Sequence, residues 1–254
     1  MKDSVSAEFT RQAKTMAAAP AFHAEAALAR LVDAVRSADA GRVLDLACGP
    51  GIVAEALSPF VREIVGTDGT PEMIRLARER FAQAHLTNGR FEVAWAESLP
   101  FEAGEFDAVT ARLLLHHLPN IASVLSEVRR VLRPQVHLIA ADVISSDDAA
   151  ESALQNAWEK RRDPTHVRML ARAEMIGAIR LAGFEPVSEA TWKQARSFGE
   201  WAQIVSNPGR TEPLRRAMQA SAKMGRRAGI DLREESGELR FTHTWLMVIA
   251  RAPK

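Results

Sequence analysis

A glycine-rich turn directly follows an apolar run at residues 43–51, which read VLDLACGPG. Gly49 and Gly51 have no Cβ, so the backbone can turn sharply there and approach a ligand closely. The helix expected after the turn offers unpaired N–H groups at its start. A second apolar run, residues 64–67, ends in Asp68, whose carboxylate is placed to accept hydrogen bonds from both hydroxyls of a ribose. This pattern is typical of a fold that binds a nucleoside.

The turn also fits a second class of nucleotide site. Residues 49–54 read GPGIVA, which matches the looser G-x-G-x-x-A form of a nicotinamide-dinucleotide fingerprint. Asp45 argues against that class, because the strand before such a fingerprint is buried on both faces and is usually apolar. A carboxylate at this position can order the glycine turn or bind the ammonium group of a ligand.

Further motifs follow in a characteristic order. They are VGTD with PEM (65–68 and 71–73), ESLPF (97–101), FDAV (106–109), HHL (116–118) and EVRRVLRP (127–134). With the glycine turn, they resemble the class I S-adenosylmethionine-dependent methyltransferases. Within that class the chain is most similar to the branch that includes ubiquinone and menaquinone biosynthesis methyltransferases and many natural-product methyltransferases. The resemblance is strong over residues 40 to 142 and extends to the tail only in general layout.

Apolar runs alternate with helical patterns along the chain. Strands are predicted at residues 43–47, 64–67, 91–95, 108–111, 136–142, 184–192 and 239–249, and helices begin near Ile52, Pro71 and Asn120. Short alternating units imply a parallel sheet with right-handed crossovers. The predicted fold is therefore α/β, with a Rossmann-like, seven-stranded, mostly parallel sheet, helices on both faces and a helical cap.

We expect one methyltransferase domain over residues 1–254. It comprises an N-terminal helical lid (1–40), a cofactor-binding core (41–143) and two substrate-cap segments (144–182 and 194–238). Helices are predicted at 4–16, 24–36, 147–161 and 172–181, around 198–205, and at 214–225. Phe9, Gln12 and Ala13 share one face of the first helix. Two roles stay open for this helix: closing over the cofactor, as the resemblance implies, or packing alone.

The resemblance implies S-adenosyl-L-methionine as cofactor, with S-adenosyl-L-homocysteine as product. Gly49 and Gly51 would flank its methionine part, Asp68 would bind the ribose, and Gly69 and Met73 would border the adenine. The cofactor-binding residues expected from the family are Asp45, Ala47, Gly49, Gly51, Asp68, Gly69, Met73, Ala96, Glu97 and Arg112.

Two positions depart from the family pattern. Trp95 stands where the family often has an aspartate that binds the adenine amino group, so Trp95 either stacks on the base or fills core. Gln135 stands where the family usually has the first of two glycines, so this chain is expected to take another backbone path there.

Methyl transfer from a sulfonium is an in-line displacement that depends mainly on positioning and on excluding water. Where the acceptor must lose a proton, histidine is the natural group near neutral pH. His117 and His166 are the candidate catalytic residues. His117 can instead position a ligand, and His166 can instead belong to a structural network with Asp163 and Arg168.

The composition limits which kinds of binding partner are expected. The 254 residues include 47% hydrophobic and 26% charged residues, and 33 basic residues nearly balance 32 acidic ones, so nucleic acid is not an expected partner. A basic stretch around residues 210–227 indicates either a solvated helix face or attraction of an acidic substrate. No apolar run is long enough to cross a membrane, and a cytoplasmic location is expected.

The single cysteine, Cys48, excludes an intramolecular disulfide and a multi-cysteine metal site, and we expect it to pack rather than react. No metal is expected.

The predicted function is transfer of a methyl group to a small organic acceptor, such as an aromatic, quinone-like or natural-product metabolite. Three alternatives are non-methyl chemistry in the same cofactor pocket, an inactive cofactor-binding partner subunit, and a nicotinamide oxidoreductase.

Overall fold

The strands form one mixed sheet. In the computed structural model, which describes residues 2–254, they are β1 (Arg42–Leu46), β2 (Glu63–Asp68), β3 (Gly89–Val93), β4 (Phe106–Arg112), β5 (Leu132–Ile144), β6 (Glu185–Ser197), β7 (Arg233–Glu235) and β8 (Glu238–Arg251). Their order is β3-β2-β1-β4-β5-β8-β6, and β7 pairs with β8 off this path. The predicted Rossmann-like α/β fold is confirmed. The three-residue β7 adds an eighth strand to the seven expected.

Strands β1 to β5 run parallel, and β1 lies in their middle between β2 and β4. Residues 43–46 of β1 are buried, as expected for a strand covered on both faces. The register sets Asp45 opposite Gly66 on β2 and Thr110 on β4. This register brings the hydroxyl of Thr110 to the one carboxylate in β1.

The last long strand, β8, is antiparallel to both β5 and β6. On the β6 side, Trp192 lies opposite Trp245, and their rings stack with centroids 5.4 Å apart. Farther along the same pair of strands, Arg196 lies opposite Phe241. Directly paired residues project from the same face of a sheet, so this face continues from the tryptophans toward Arg196.

Helices cover both faces of the sheet. They are α1 (Lys2–Ala18), α2 (Glu25–Ser37), α3 (Ile52–Leu57), α4 (Pro71–Gln83), α5 (Ile121–Val131), α6 (Ala149–Arg162), α7 (Arg172–Leu181), α8 (Phe198–Val205) and α9 (Pro208–Lys223). Helix α5 begins where the sequence predicts, because the Asn120 side chain accepts a hydrogen bond from the Ser123 N–H at 3.1 Å. It ends at Val131, and Leu132 begins β5.

Separate apolar clusters hold the helices in place. Leu44, Leu125 and Leu138 belong to one cluster, and Val35, Val43 and Ile64 belong to a second cluster. A smaller cluster packs α6, α8 and α9 onto β8 and is formed mainly by Trp158, Phe198, Trp201, Leu214 and Phe241. The cap therefore has a core of its own, beside the sheet.

Gln135 corrects one sequence prediction. The residue does not avoid the conformation that glycine would permit there; it adopts that conformation itself, with φ 65°. Its side-chain Nε2 donates a hydrogen bond to the carbonyl of Ala252 at 3.2 Å, which holds the turn against the C-terminal segment. The left-handed region is costly for a residue with a Cβ, so local contacts must compensate.

Strand β3 also differs from the prediction, which placed it at residues 91–95. Its pairing with β2 ends where β2 ends, at Asp68 opposite Val93, so Trp95 lies in the loop that follows. The strand begins earlier, at Gly89, where Phe81 packs so closely that a Cβ would lie 2.2 Å from its ring.

Within residues 2–254, none of the helices combines the length and apolar character that crossing a membrane requires.

Candidate cofactor and acceptor site

A cavity of about 490 Å³ opens at the carboxyl ends of β1, β2 and β4 and continues between α1 and the cap. This volume is in the range of ~300–1,000 Å³ typical of small-molecule sites. The predicted cofactor residues that line it are Asp45, Ala47, Gly49, Asp68, Gly69, Met73, Ala96, Glu97 and Arg112. The predicted catalytic residues His117 and His166 line it as well. The structure thus brings together residues from most of the chain's length.

Gly51 is the predicted residue that does not line the cavity. It has φ 80°, and a Cβ there would lie 3.0 Å from the Cβ of Ala77 on α4. Gly51 therefore lets α3 begin and pack closely against α4. Gly49, with φ 52°, has the opposite surroundings, since a Cβ there would meet nothing within 4 Å. Of the two glycines, Gly49 is therefore the one that borders the open space of the cavity.

Asp68 ties the glycine turn to the end of β2. Its Oδ2 accepts a hydrogen bond from the Gly49 N–H at 3.1 Å, and its Oδ1 accepts one from the Thr70 N–H at 2.8 Å. Burial raises the pKa of Asp68, while these N–H donors oppose the increase. A carboxylate can accept about four hydrogen bonds, so both oxygens retain capacity for a ligand.

Asp45 is a buried carboxylate with one oxygen unsatisfied. Its Oδ1 accepts a hydrogen bond from the Thr110 hydroxyl at 2.9 Å, whereas Oδ2 has no hydrogen-bond partner. Burial raises the pKa of Asp45 to about 7, and the Thr110 hydrogen bond and the charge of Arg112 only partly oppose this effect. An unpartnered, buried oxygen at a cavity wall is suited to a ligand that carries N–H groups.

Arg112 closes the cavity next to Asp45. Its Nη1 donates to the carbonyl of Phe22 at 3.0 Å, and its guanidinium lies 5.9 Å from the centre of the Phe22 ring. Burial lowers the pKa of Arg112 to about 10, so it stays charged at neutral pH. The arginine therefore joins the end of β4 to the short helical turn at residues 20–23.

Trp95 forms a wall beside Gly69. A Cβ on Gly69 would lie 2.7 Å from the Trp95 ring, so the glycine is what permits the close packing. From the other side, Lys2 Nζ lies 5.0 Å from the centre of that ring and 3.5 Å from Glu97 Oε2. The first turn of α1 is thus bound to the loop after β3 by a cation–π contact and an ion pair.

Helix α1 covers the cavity along its length. Val5, Phe9, Gln12 and Met16 line it, and the ring of Phe9 meets that of His117 edge-on at 5.1 Å. Thr15 Oγ1 donates to the carbonyl of Ile204 on α8 at 2.6 Å. The helix is therefore anchored to the cap as well as to the sheet.

Three histidines converge where the cavity meets the cap. The ring centres of His116 and His117 are 4.1 Å apart, and those of His116 and His166 are 5.6 Å apart. His116 Nδ1 lies 2.6 Å from Asp142 Oδ1. Burial lowers the pKa of His116, but the charge and hydrogen bond of Asp142 outweigh it and leave the pKa raised. His116 is therefore the member of the cluster most easily protonated.

His117 and His166 are neutral at physiological pH. Burial, with the nearby charge of His116, lowers the pKa of His117 to about 3, and burial lowers that of His166 to about 4. His117 Nδ1 lies 3.2 Å from the carbonyl of Thr165, so this nitrogen carries the hydrogen and Nε2 keeps a lone pair. By the same reasoning, His166 Nε2 donates to Asn156 Oδ1 at 2.9 Å and Nδ1 keeps the lone pair.

The network suggested for His166, Asp163 and Arg168 differs in the structure. Asp163 Oδ1 accepts hydrogen bonds from the backbone N–H and the hydroxyl of Thr165, at 2.9 and 2.6 Å. Arg168 instead pairs with Glu174 at 2.8 Å. Asp163 fixes the loop that carries His166, and Arg168 takes no part in that contact.

Cap residues that sequence reasoning missed complete the cavity, chiefly Glu159, Arg162, Arg196, Trp201 and His243. Glu159 and Arg162 come from α6, and the others come from β6, α8 and β8. One signal was available in the sequence, since His243 is a polar residue among the otherwise apolar, alternating positions of the strand predicted at 239–249. Only the pairing of β6 with β8 brings it to the same face as Arg196.

Cys48 lies in the core as expected. The thiol is buried, and burial raises its pKa well above the ordinary range, so a reactive thiolate is disfavoured. Its Sγ packs against Gly66, where a Cβ would come within 2.9 Å. Among residues 2–254, no group of three or more histidine, cysteine or acidic side chains could hold a metal ion.

Comparison with known proteins agrees with this geometry. The model of the family described as "Methyltransferase domain" matches residues 44–140. An uncharacterized methyltransferase of Bacillus subtilis, YcgJ, is 32% identical over 174 residues, covering 67% of this chain and 68% of YcgJ. The crystal structure of the YcgJ protein superimposes with a TM-score of 0.82 and 23% identity over 91% of this chain and 99% of that chain.

A second relative matches a shorter part of the chain. The ubiquinone/menaquinone biosynthesis C-methyltransferase UbiE of Geobacter sp. is 41% identical over 98 residues, which cover 37% of this chain and 42% of UbiE. The part of the chain that the family model matches contains the glycine turn and Asp68. The protein belongs to the class I S-adenosylmethionine-dependent methyltransferases.

Proposed function

We propose that this methyltransferase binds S-adenosylmethionine at the glycine turn and transfers its methyl group to a small organic acceptor held under the cap. The observation that carries the proposal is one continuous cavity, which joins Asp45, Gly49 and Asp68 to the histidines of the cap. When bound, S-adenosylmethionine supplies an activated methyl group on a sulfonium sulfur. The residues of the chain must then align the acceptor and exclude water.

The residues present fit the cofactor. Asp45 Oδ2 is buried without a partner, and the α-ammonium group of the methionine part would supply the missing donors. Asp68 retains capacity for the ribose hydroxyls although both of its oxygens already hold backbone N–H groups. Gly49 presents no side chain to the intervening space.

We infer that the base is held by shape rather than by an acidic side chain at position 95. Met73 and Trp95 both line the cavity beside Gly69, and the flat indole provides a surface on which a base can stack. Glu97, two residues later, carries an Oε2 atom with no hydrogen-bond partner, although Lys2 Nζ lies 3.5 Å away. It is our candidate acceptor for the adenine amino group.

For the acceptor we assign His117 and His166 a positioning role. Each is neutral and has one nitrogen lone pair, so each can accept a hydrogen bond from an O–H or N–H of the acceptor. Their lowered pKa values make them weak bases, which favours orientation over complete proton removal before methyl transfer. Helix α1 covers the same region and would exclude water from it.

Calorimetric titration with S-adenosylhomocysteine tests the proposal. We expect wild-type protein to bind it, and Asp68→Ala to weaken binding by at least tenfold, because charge-assisted hydrogen bonds contribute about 1.5–3 kcal/mol each. Glu79→Ala provides the matched control, since Glu79 is an exposed acid on α4 outside the cavity. Binding of NADH instead of S-adenosylhomocysteine would contradict the proposal.

A further inference from the structure

Arg196 is a buried cation with two unused hydrogen-bond donors. It lies on β6, is 7% exposed and lines the cap end of the cavity. Its Nε and Nη2 atoms have no hydrogen-bond partner, and Glu200 Oε1 is 3.7 Å from Nη2, beyond hydrogen-bond distance. Nε and Nη2 share one edge of the guanidinium, where two parallel N–H groups can bind both oxygens of a carboxylate.

The neighbouring charged groups are already satisfied. Arg162 uses the same edge of its guanidinium to bind Glu159 Oε2, at 3.0 Å from Nε and 2.9 Å from Nη2. The other oxygen of Glu159 accepts from Trp201 Nε1 at 3.2 Å and lies 3.4 Å from His243 Nε2. Both oxygens of Glu159 are therefore engaged by Arg162, Trp201 and His243 and are not available to Arg196.

Two more unpartnered groups lie on the same face of the β6–β8 pair. Gln194 Oε1 and Trp245 Nε1 are both buried and have no hydrogen-bond partner. Gln194 pairs with His243, between the pairs Arg196 with Phe241 and Trp192 with Trp245. Unsatisfied polar atoms are uncommon in native interiors, and of these three residues Arg196 is the one that lines the cavity, so its free donors indicate a site for a polar ligand.

Leaving two N–H donors of a buried guanidinium without acceptors is costly, because the ion pair with Glu200 at 3.7 Å does not replace the hydrogen bonds that both donors made to water. Burial lowers the pKa of Arg196, and Glu200 and Glu159 oppose this only in part. A carboxylate from a ligand would supply both missing acceptors together with a negative charge within hydrogen-bond distance. A neutral amide could supply only one oxygen and no charge.

We propose that the methyl acceptor carries a carboxylate group, which Arg196 binds through Nε and Nη2. This assignment rests on the proposed function, since it places the acceptor in the cap half of the cofactor cavity. An acceptor anchored at Arg196 lies in the same cavity as His117, His166 and the glycine turn. Arg196 thus becomes the residue that selects acidic over neutral acceptors.

The test uses pairs of small aromatic probes that differ only in carboxylate against carboxamide, for example 4-hydroxybenzoate with 4-hydroxybenzamide, across several ring sizes. Binding is measured by calorimetry with S-adenosylhomocysteine present. We expect at least one carboxylate to bind on the order of 10- to 100-fold more tightly than its amide. Arg196→Met should abolish that preference, and Arg196→Lys should retain only part of it, because lysine keeps the charge but lacks the two-donor edge.

Arg240→Met is the matched control, since Arg240 is an exposed arginine on the adjacent strand outside the cavity. Its preference for the carboxylate should equal that of wild type. Binding of S-adenosylhomocysteine in each variant separates the two proposals: retained cofactor binding with no carboxylate preference overturns the Arg196 assignment alone. Tighter binding of the matching phosphonates than of the carboxylates also overturns it. If the wild-type protein does not bind S-adenosylhomocysteine, the proposed function itself is overturned.

Discussion

Asp45 should reduce the stability of the ligand-free protein above neutral pH. Its ordinary pKa of 3.8 is raised to about 7 by burial, so the unfolded chain releases this proton more readily than the folded protein. A raised carboxyl pKa favours the folded state only while the group is protonated. Stability from this residue is therefore lost as pH rises from about 4 to about 7, and the full loss persists above pH 7.

The neutral variant Asp45→Asn isolates this effect. Linkage between a pKa of 3.8 and one of about 7 gives a change of roughly 3 kcal/mol between pH 5 and pH 8. Asparagine keeps an oxygen for the Thr110 hydroxyl, and its unpaired amide adds a penalty that does not vary with pH. The stability of the variant relative to wild type should thus increase by roughly 3 kcal/mol over this interval.

Urea unfolding of both proteins at pH 5 and pH 8 measures that difference. In thermal unfolding it corresponds to a relative rise in Tm of roughly 6–12 °C for a chain of this size. The other carboxylates titrate in both proteins and cancel. The same variant should bind S-adenosylhomocysteine more weakly, because the acceptor for the α-ammonium group is lost. A pH-independent difference in the free energy of unfolding would refute the reasoning.

Three more outcomes follow from local geometry. Gly51→Ala should lower the free energy of unfolding by roughly 2–4 kcal/mol, because Gly51 has φ 80° and a Cβ there would collide with α4. Gly104→Ala should lower it by only about 1 kcal/mol, because Gly104 has φ 68° but faces open space. Urea unfolding measures both changes, and equal values would contradict the packing role of Gly51. Asp142→Asn should lower the pKa of His116 in an NMR titration, and an unchanged pKa would show that the pair does not form. Gln135→Gly should raise the free energy of unfolding by up to about 1 kcal/mol through relieved backbone strain, and therefore raise Tm slightly, whereas a lower Tm would mean that the side-chain contact dominates.

The parts of the site that the sequence predicts are local ones. The glycine turn and the carboxylate at the end of β2 lie within 20 residues of each other, and each follows an apolar strand whose direction fixes where it points. The position of Asp45 follows from the same short segment. For such residues, strand order in a parallel sheet is enough to place them at one edge.

The cap could not be predicted in the same way. Arg196 and His243 are 47 positions apart and meet the cavity only because β6 and β8 pair over a long antiparallel register. A shift of one residue in that register would place the two side chains on opposite faces of the sheet. Gly51 was misplaced for a related reason, since its neighbour on α4 depends on helix packing that no short motif encodes.

A crystal structure with S-adenosylhomocysteine bound would show directly whether the cofactor lies along the glycine turn. We expect density that runs from Asp45 past the glycine turn to the loop carrying Trp95, with the ammonium group at Asp45, the ribose hydroxyls at Asp68 and the sulfur facing the half of the cavity that contains His117. Density in another part of the molecule, or in the same cavity with the adenine toward the cap, would contradict it.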